Sequence, residues 1–344
     1  MEKRCRRGRS VEEEEEEDNS EAQEVSFFHC APLIFPYLQP SDLAAVSSTC
    51  RSSRRISGAV TSTRISDASR TFENSAIPFI NAVDSQPYAH FLYTPVQSLP
   101  SAGVAQSWGG PADGPGRAPP DPFLFRVDGA RGCDCRRGCG GGSGCPCWDS
   151  ASEFPSRECG PSCGCFSDCG NRLTQNGVSV RLKIVKDKRK GWSLRAGEMI
   201  PKGKFICEYA GELVTTEEAR ARFRQCDDTP SRTSRHFCSA LLVVKEHLPC
   251  GNVCMRMNID ATKTGNIARF INHSCDGGNL CAAIVRSSGA LLPRVCFFAS
   301  MDIREDEELS FSYGDVTLDP PPPKGSPCFC GSPSCLGVLP SEHT

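Results

Sequence analysis

The sequence predicts a mostly β protein with short helices, its central domain flanked on both sides by cysteine-based metal centres. Three observations predict this. Short runs of alternating or continuous apolar residues recur between Val178 and Ala261, the pattern of half-buried and buried strands. Cysteine supplies 23 of 344 residues, most of them in two dense clusters. The stretch Arg269-Phe270-Ile271-Asn272-His273-Ser274-Cys275 interrupts an apolar run with polar side chains and closes on a cysteine. Polar groups in such a run cost free energy unless each finds a partner.

Composition bounds the rest. A formal net charge of -2 gives no overall basic field to recruit nucleic acid. No apolar run reaches the length of a membrane span, and no secretory signal opens the chain. Cysteine clusters without a secretory signal read as metal sites in a reducing compartment rather than as disulfides.

In chain order, residues 1–24 join a basic start (Lys3, Arg4, Arg6, Arg7, Arg9) to an acidic run from Glu12 to Asp18. Such blocks stay solvated and disordered. Residues 25–75 predict a small helical segment, with an N-cap at Ser41 and Leu43, Val46 and Cys50 near helical spacing. Residues 76–128 read as a linker without legible chemistry, dense in Gly and Pro from Gly109 to Pro122.

Residues 129–172 carry nine cysteines and no histidine: Cys133, Cys135, Cys139, Cys145, Cys147, Cys159, Cys163, Cys165 and Cys169. Structural zinc takes four thiolates in a tetrahedron. Nine thiolates satisfy three zinc ions only when three of them each bridge two metals. A disulfide knot fails on the odd count. The segment has few large apolar residues, so metal supplies most of its folding energy.

Val178 to Val185 alternates as a strand, and Phe205 to Val214 reads as the next strand pair. Between them, Gly191 precedes Trp192, which allows backbone to approach a ligand closely. Thr215-Thr216-Glu217-Glu218 is a capped helix start. Ser239 to Val244 is almost continuously apolar, predicting burial on both faces. After the Arg269–Cys275 motif comes Glu308-Leu309-Ser310-Phe311-Ser312-Tyr313-Gly314. Cys328, Cys330 and Cys335 then supply three thiolates, one short of a tetrahedron, with Cys275 the natural fourth. The seven scattered cysteines, Cys207, Cys226, Cys238, Cys250, Cys254, Cys281 and Cys296, read as small hydrophobes.

Arg269–Cys275 and Glu308–Gly314 together resemble the paired signature of SET-domain lysine methyltransferases, whose two segments cross. Glu208-Tyr209-Ala210-Gly211-Glu212 resembles another segment of that family, and the nine cysteines resemble the pre-SET domain of its Su(var) type. The chain is most similar to the plant Su(var)-related subgroup. The resemblance implies a SET fold over 178–314, with several small sheets, between a pre-SET three-zinc cluster and a post-SET segment at 324–340 that binds a fourth zinc. It implies that Cys133, Cys139 and Cys159 are the bridges. S-adenosylmethionine would be gripped by Lys190, Gly191 and Trp192 and held by Asn272 and His273, with Arg269 bracing the arm or the pocket. Tyr313 would be the catalytic tyrosine, Tyr209 would line the site, and Phe311 would stand where the number of methyl groups is set. The implied substrate is a lysine of the histone H3 tail, usually lysine 9. Val243-Val244-Lys245-Glu246-His247 also resembles relatives assigned to lysine 36. The implied setting is nuclear chromatin, in silencing, with no membrane. Leu38 to Arg51 resembles part of an F-box, which binds a ubiquitin-ligase adaptor; a plain helix packing on the catalytic domain fits as well.

Only the neutral amine of lysine is a nucleophile, and a free lysine has a pKa of about 10.4. A narrow apolar channel lowers it by desolvation, with the proton lost to water. One residue departs from the family: Ala240 aligns where many members place an active-site tyrosine. Phe237 or His236 could occupy that space. The departure favours a rival reading, a SET-fold scaffold with weak turnover.

Overall fold

A computed structural model describes residues 27–88, 91–99, 127, 129–135, 139, 144–148, 153–227, 240–247, 254–314 and 326–340. The expected tail over 1–24, the Gly/Pro-dense stretch Gly109–Pro122, His236 and Phe237 lie outside these residues. The chain divides into two units, residues 1–65 and 66–344.

The first unit is helical, as its spacing predicts. Helix α1 (27–34) and a 3-10 turn (Phe35–Tyr37) lead into α2 (Pro40–Ser47) and α3 (Arg51–Ser66). Ala31, Phe35 and Leu43 form its core, with Leu38, Val46, Ile56 and Val60 packed on them. Ser41 is not the N-cap. The helix starts at Pro40, with Gln39 in the cap position and no side-chain cap. Proline has its φ preset for the first helical position, so it starts the helix two residues early.

The second unit is assembled from short strands: β1 (Phe79–Ile80), β2 (Leu92–Tyr93), β3 (Arg157–Glu158), β4 (Leu182–Asp187), β5 (Gly191–Ala196), β6 (Phe205–Glu208) and β7 (Gly211–Val214). After α4 (Thr216–Asp227) follow β8 (Leu241–His247), β9 (Cys254–Gly265), β10 (Asn272–His273), β11 (Leu280–Ser287), β12 (Arg294–Ala299) and β13 (Ser310–Phe311). They form sheets β1-β4-β5, β3-β11-β12-β6 and β2-β9-β7 with β8 also on β9, plus the pair β10-β13. The expected cap of α4 is present, because Thr215 Oγ1 accepts the Glu218 amide at 3.0 Å.

Three expectations are corrected here. β6 and β7 do not pair with each other: β6 joins β12 and β7 joins β9. The link between them is carried by one side chain. Asn266 Nδ2 donates to Glu208 O at 2.7 Å, and Asn266 Oδ1 accepts from Ala210 N at 3.3 Å. An amide that satisfies both backbone groups lets the chain pass from one sheet to another without an orphaned polar atom. The apolar run at 241–244 is only half-buried, because among the described residues β8 is an outer strand paired with β9 alone.

The third correction concerns the linker expected over 76–128, whose described part belongs to the core. Ile77, Phe91 and Tyr93 are buried, β1 adds in parallel to β4, and β2 adds in parallel to β9. The entry turn is held by Asp67, whose carboxylate accepts the amides of Ser69, Thr71 and Ile77 at 2.8–2.9 Å. That turn carries Arg70 and Thr71 at φ +55° and +69°, a region non-glycine residues seldom adopt. Two-residue strands have no period to read, so this belt was invisible as structure.

Candidate active site

The site begins where two distant segments meet. A 3-10 turn (Ile267–Phe270), capped by Asn266 Oδ1 accepting from Ala268 N, delivers the chain into β10. β10 pairs in parallel with β13, Asn272 opposite Ser310 and His273 opposite Phe311. Gly278 makes this approach possible. Its φ is +70°, and a Cβ there would lie 2.3 Å from Ser310 O, so only glycine fits. Asn279 fixes the returning strand, donating to Glu308 O at 2.9 Å and accepting from Ser310 N at 3.1 Å.

This pairing brings Tyr313 onto His273. The Tyr313 amide donates to His273 Nδ1 at 3.1 Å, and the two rings lie 5.3 Å apart. Phe311 sits 5.0 Å from Tyr313 and 4.7 Å from Phe297, and Tyr209 is 6.4 Å from Phe297. Both hydroxyls donate to carbonyls: Tyr313 to Ile271 O and Tyr209 to Ala240 O, each at 2.7 Å. A phenol that donates to a carbonyl keeps its oxygen lone pairs as acceptors. Burial pushes both phenol pKa values above their usual range, so both rings stay neutral. Ala240 brings no hydroxyl, yet its carbonyl orients Tyr209.

Two of the residues expected to hold the cofactor, Lys190 and Asn272, meet at Glu308. Its Oε2 accepts from Lys190 Nζ at 2.7 Å and its Oε1 from Asn272 Nδ2 at 2.9 Å. Gly191 has φ +80° and open space beside it. The Trp192 indole is held edge-on by Phe79 and Tyr88, each 5.4 Å away. The Arg269 guanidinium lies 4.8 Å over the Phe91 ring and 5.4 Å over Phe270, a cation–π arrangement.

The thiols converge as their spacing implies. Cys133, Cys139 and Cys159 form a triangle with sulfur separations of 3.6, 3.7 and 3.7 Å. Cys135 and Cys145 join Cys133 and Cys139 in one close group of four, and Cys165 joins the triangle in another. Cys147 lies 3.6 Å from Cys163, and Cys169 Sγ accepts from Cys139 N at 3.2 Å. Separately, Cys275, Cys328, Cys330 and Cys335 place their four sulfurs within 4.8 Å of one another, beside His273, whose Nε2 is 3.2 Å from Cys275 Sγ. All-thiol groups of four are the donor set zinc prefers.

A family model of the SET domain matches residues 191–314. The chain is 51% identical over 336 residues to histone-lysine N-methyltransferase SUVR3 of Arabidopsis thaliana, covering 92% of each chain. The chain belongs to the SET-domain histone-lysine N-methyltransferases. Its fold is similar to that of the methyltransferase domain of human SETMAR, with TM-score 0.58 and 30% identity, covering 80% of this chain and 97% of that one. It is also similar to KRYPTONITE, solved with DNA, an H3(1-15) peptide and SAH, with TM-score 0.55 and 28% identity over 79% of this chain and 53% of that one. The mostly β SET fold with flanking cysteine centres is thus as the sequence predicts. None of these relatives supports a ubiquitin-ligase adaptor as a partner. Among the described residues no helix is long and apolar enough to cross a membrane.

The SET domain also uses residues to which the sequence reading gave no role. Glu308 joins Lys190 to Asn272, and Asn266 joins the ends of β6 and β7. Buried Arg294 pairs with Glu158 at 2.8 Å and Glu208 at 3.4 Å. A lone arginine in a strand gives no signal of two partners 136 and 86 residues away.

Proposed function

We propose that this SET-domain enzyme methylates a lysine of the histone H3 tail, lysine 9 first among them, and acts on nuclear chromatin in silencing. One observation carries the reading: the parallel pairing of β10 with β13, which stacks His273, Tyr313 and Phe311 together next to four converging thiols. S-adenosylmethionine supplies an electrophilic sulfonium methyl group when bound. The open backbone at Gly191 and the strand edge at Asn272 and His273 suit that ligand, because the side chains of Lys190, Trp192 and Asn272 are already engaged by protein.

The residues divide the work. Tyr209, Phe297, Phe311 and Tyr313 wall off water, which strips the substrate ammonium of solvation and favours its neutral form. Tyr313 and Tyr209, with their protons committed to Ile271 O and Ala240 O, keep their oxygen lone pairs free and would accept from a bound substrate amine. Neither phenol serves as a base, because burial keeps both protonated; the amine loses its proton to water. Phe311, with no hydroxyl, leaves room for more than one methyl group. The nine thiols would hold three zinc ions, with Cys133, Cys139 and Cys159 each shared between two of them, and Cys275 would complete a fourth site with Cys328, Cys330 and Cys335.

The test is methyl transfer from labelled S-adenosylmethionine to H3 peptides, each bearing one free lysine. Transfer at lysine 9 is expected. Transfer confined to lysine 36 overturns the site assignment, and transfer to no H3 peptide overturns the histone-tail assignment.

A further inference from the structure

The carboxylate of Glu308 stands at a junction of three segments. Its backbone is pinned first: Leu309 N donates to Leu194 O at 2.8 Å, and Glu308 O accepts from Asn279 Nδ2 at 2.9 Å. That fixes the direction of the side chain. One oxygen then takes Asn272 on β10, and the other takes Lys190 at the mouth of β5. The Lys190 ammonium also donates to Cys330 O at 3.4 Å, in the C-terminal segment whose sulfur lies among the four beside His273. Arg189 adds a second tie to that segment, its guanidinium 5.0 Å over the Phe329 ring.

We infer that Glu308 is a positioning residue for the methyl donor, locking the Lys190–Trp192 turn, Asn272 and the C-terminal cysteine segment into one rigid cradle. This rests on the proposed donor site. The physical reason is the state of the partners. Lys190 and Glu308 side chains are 24% and 18% exposed, so the pair is largely withdrawn from water, where charge-assisted hydrogen bonds are strongest. The carboxylate has two oxygens and uses one for each arm of the cradle. A shorter or neutral side chain holds at most one arm well. The Lys190 side chain is therefore a strut, and its amide, donating to Asp187 Oδ1 at 2.9 Å, fixes the turn that precedes Gly191.

The test is equilibrium binding of S-adenosylmethionine to the full zinc-loaded chain by calorimetry, which needs no turnover. Glu308→Gln, Glu308→Asp and Lys190→Met are each expected to weaken binding by about tenfold or more. Lys190→Arg, which keeps the charge and reach, is expected to stay within about threefold. The double variant Glu308→Gln/Lys190→Met is expected to be no weaker than the worse single variant, because the two residues act as one unit. Lys190→Met is also expected to speed proteolysis within residues 326–340. Binding within twofold of wild type in Glu308→Gln, or losses that multiply in the double variant, overturn the inference. A wild-type chain that binds the donor yet methylates no histone peptide sinks the proposed function and leaves this inference standing. Should Glu308→Gln fail to fold, the Lys190 pair decides: equal affinities for Lys190→Met and Lys190→Arg refute the strut.

Discussion

Glu208 offers a test of how the zinc-cluster region is wired to the catalytic sheet. Its carboxyl is 5% exposed on β6, directly before Tyr209. Glu158, fully buried and next to Cys159, shares Arg294 with it. Glu158 is otherwise well served, accepting from Thr174 N, Thr174 Oγ1 and Gln175 Nε2. Glu208 is less so. Burial pushes its pKa up to about 7, and the Arg294 guanidinium offsets only part of that rise. The folded state therefore binds this proton more tightly than the unfolded chain, whose pKa is about 4.5. Below about pH 4.5 the group takes nothing from stability; as pH rises through 7 it destabilises the fold. The full loss is roughly 3 kcal/mol, about 2 of it between pH 5 and pH 7. Glu208→Gln removes the titration and keeps the shape. Urea unfolding of both chains at fixed zinc, from pH 5 to pH 8, is the assay. The shared cysteines contribute equally, so their own pH dependence cancels in the difference. The variant is expected to gain on wild type from pH 5 to about 7 and to keep a nearly constant lead above that. Two stability curves that run parallel across this range refute the reasoning.

Three further outcomes follow from the geometry. Tyr313→Phe removes the hydroxyl bound to Ile271 O and is expected to lower kcat by about 100-fold or more, with donor affinity little changed; undiminished turnover rejects its role. Phe91→Ala empties a fully buried site under Arg269 and is expected to cost about 3–5 kcal/mol in urea unfolding; a cost below about 1 kcal/mol means residues 66–99 are not integral to the core. Metal analysis is expected to find four zinc ions per chain, and a strong chelator is expected to unfold the cysteine segments; three or fewer in the intact protein contradicts the bridged cluster or the Cys275 site.

Sequence alone determined where thiols crowd together along the chain and the local character of the motifs. Thiol identity and spacing are covalent facts; that Cys133, Cys139 and Cys159 stand at the corners of one triangle is a tertiary one. The crowding of polar residues into Arg269–Cys275 likewise announced that each needed a partner. Who those partners are, only the tertiary structure decided. Asn272 finds Glu308, His273 finds Tyr313, and Arg269 finds Phe91, all from segments with no periodic relation to it. The belt over residues 66–99 joins the core through two-residue strands, and Asn266 splits β6 from β7 with two side-chain bonds. Strands this short carry too little pattern to declare their neighbours. Their pairing is fixed by long-range burial and by the rule that no buried polar group goes unpartnered, and both operate only once the chain has folded.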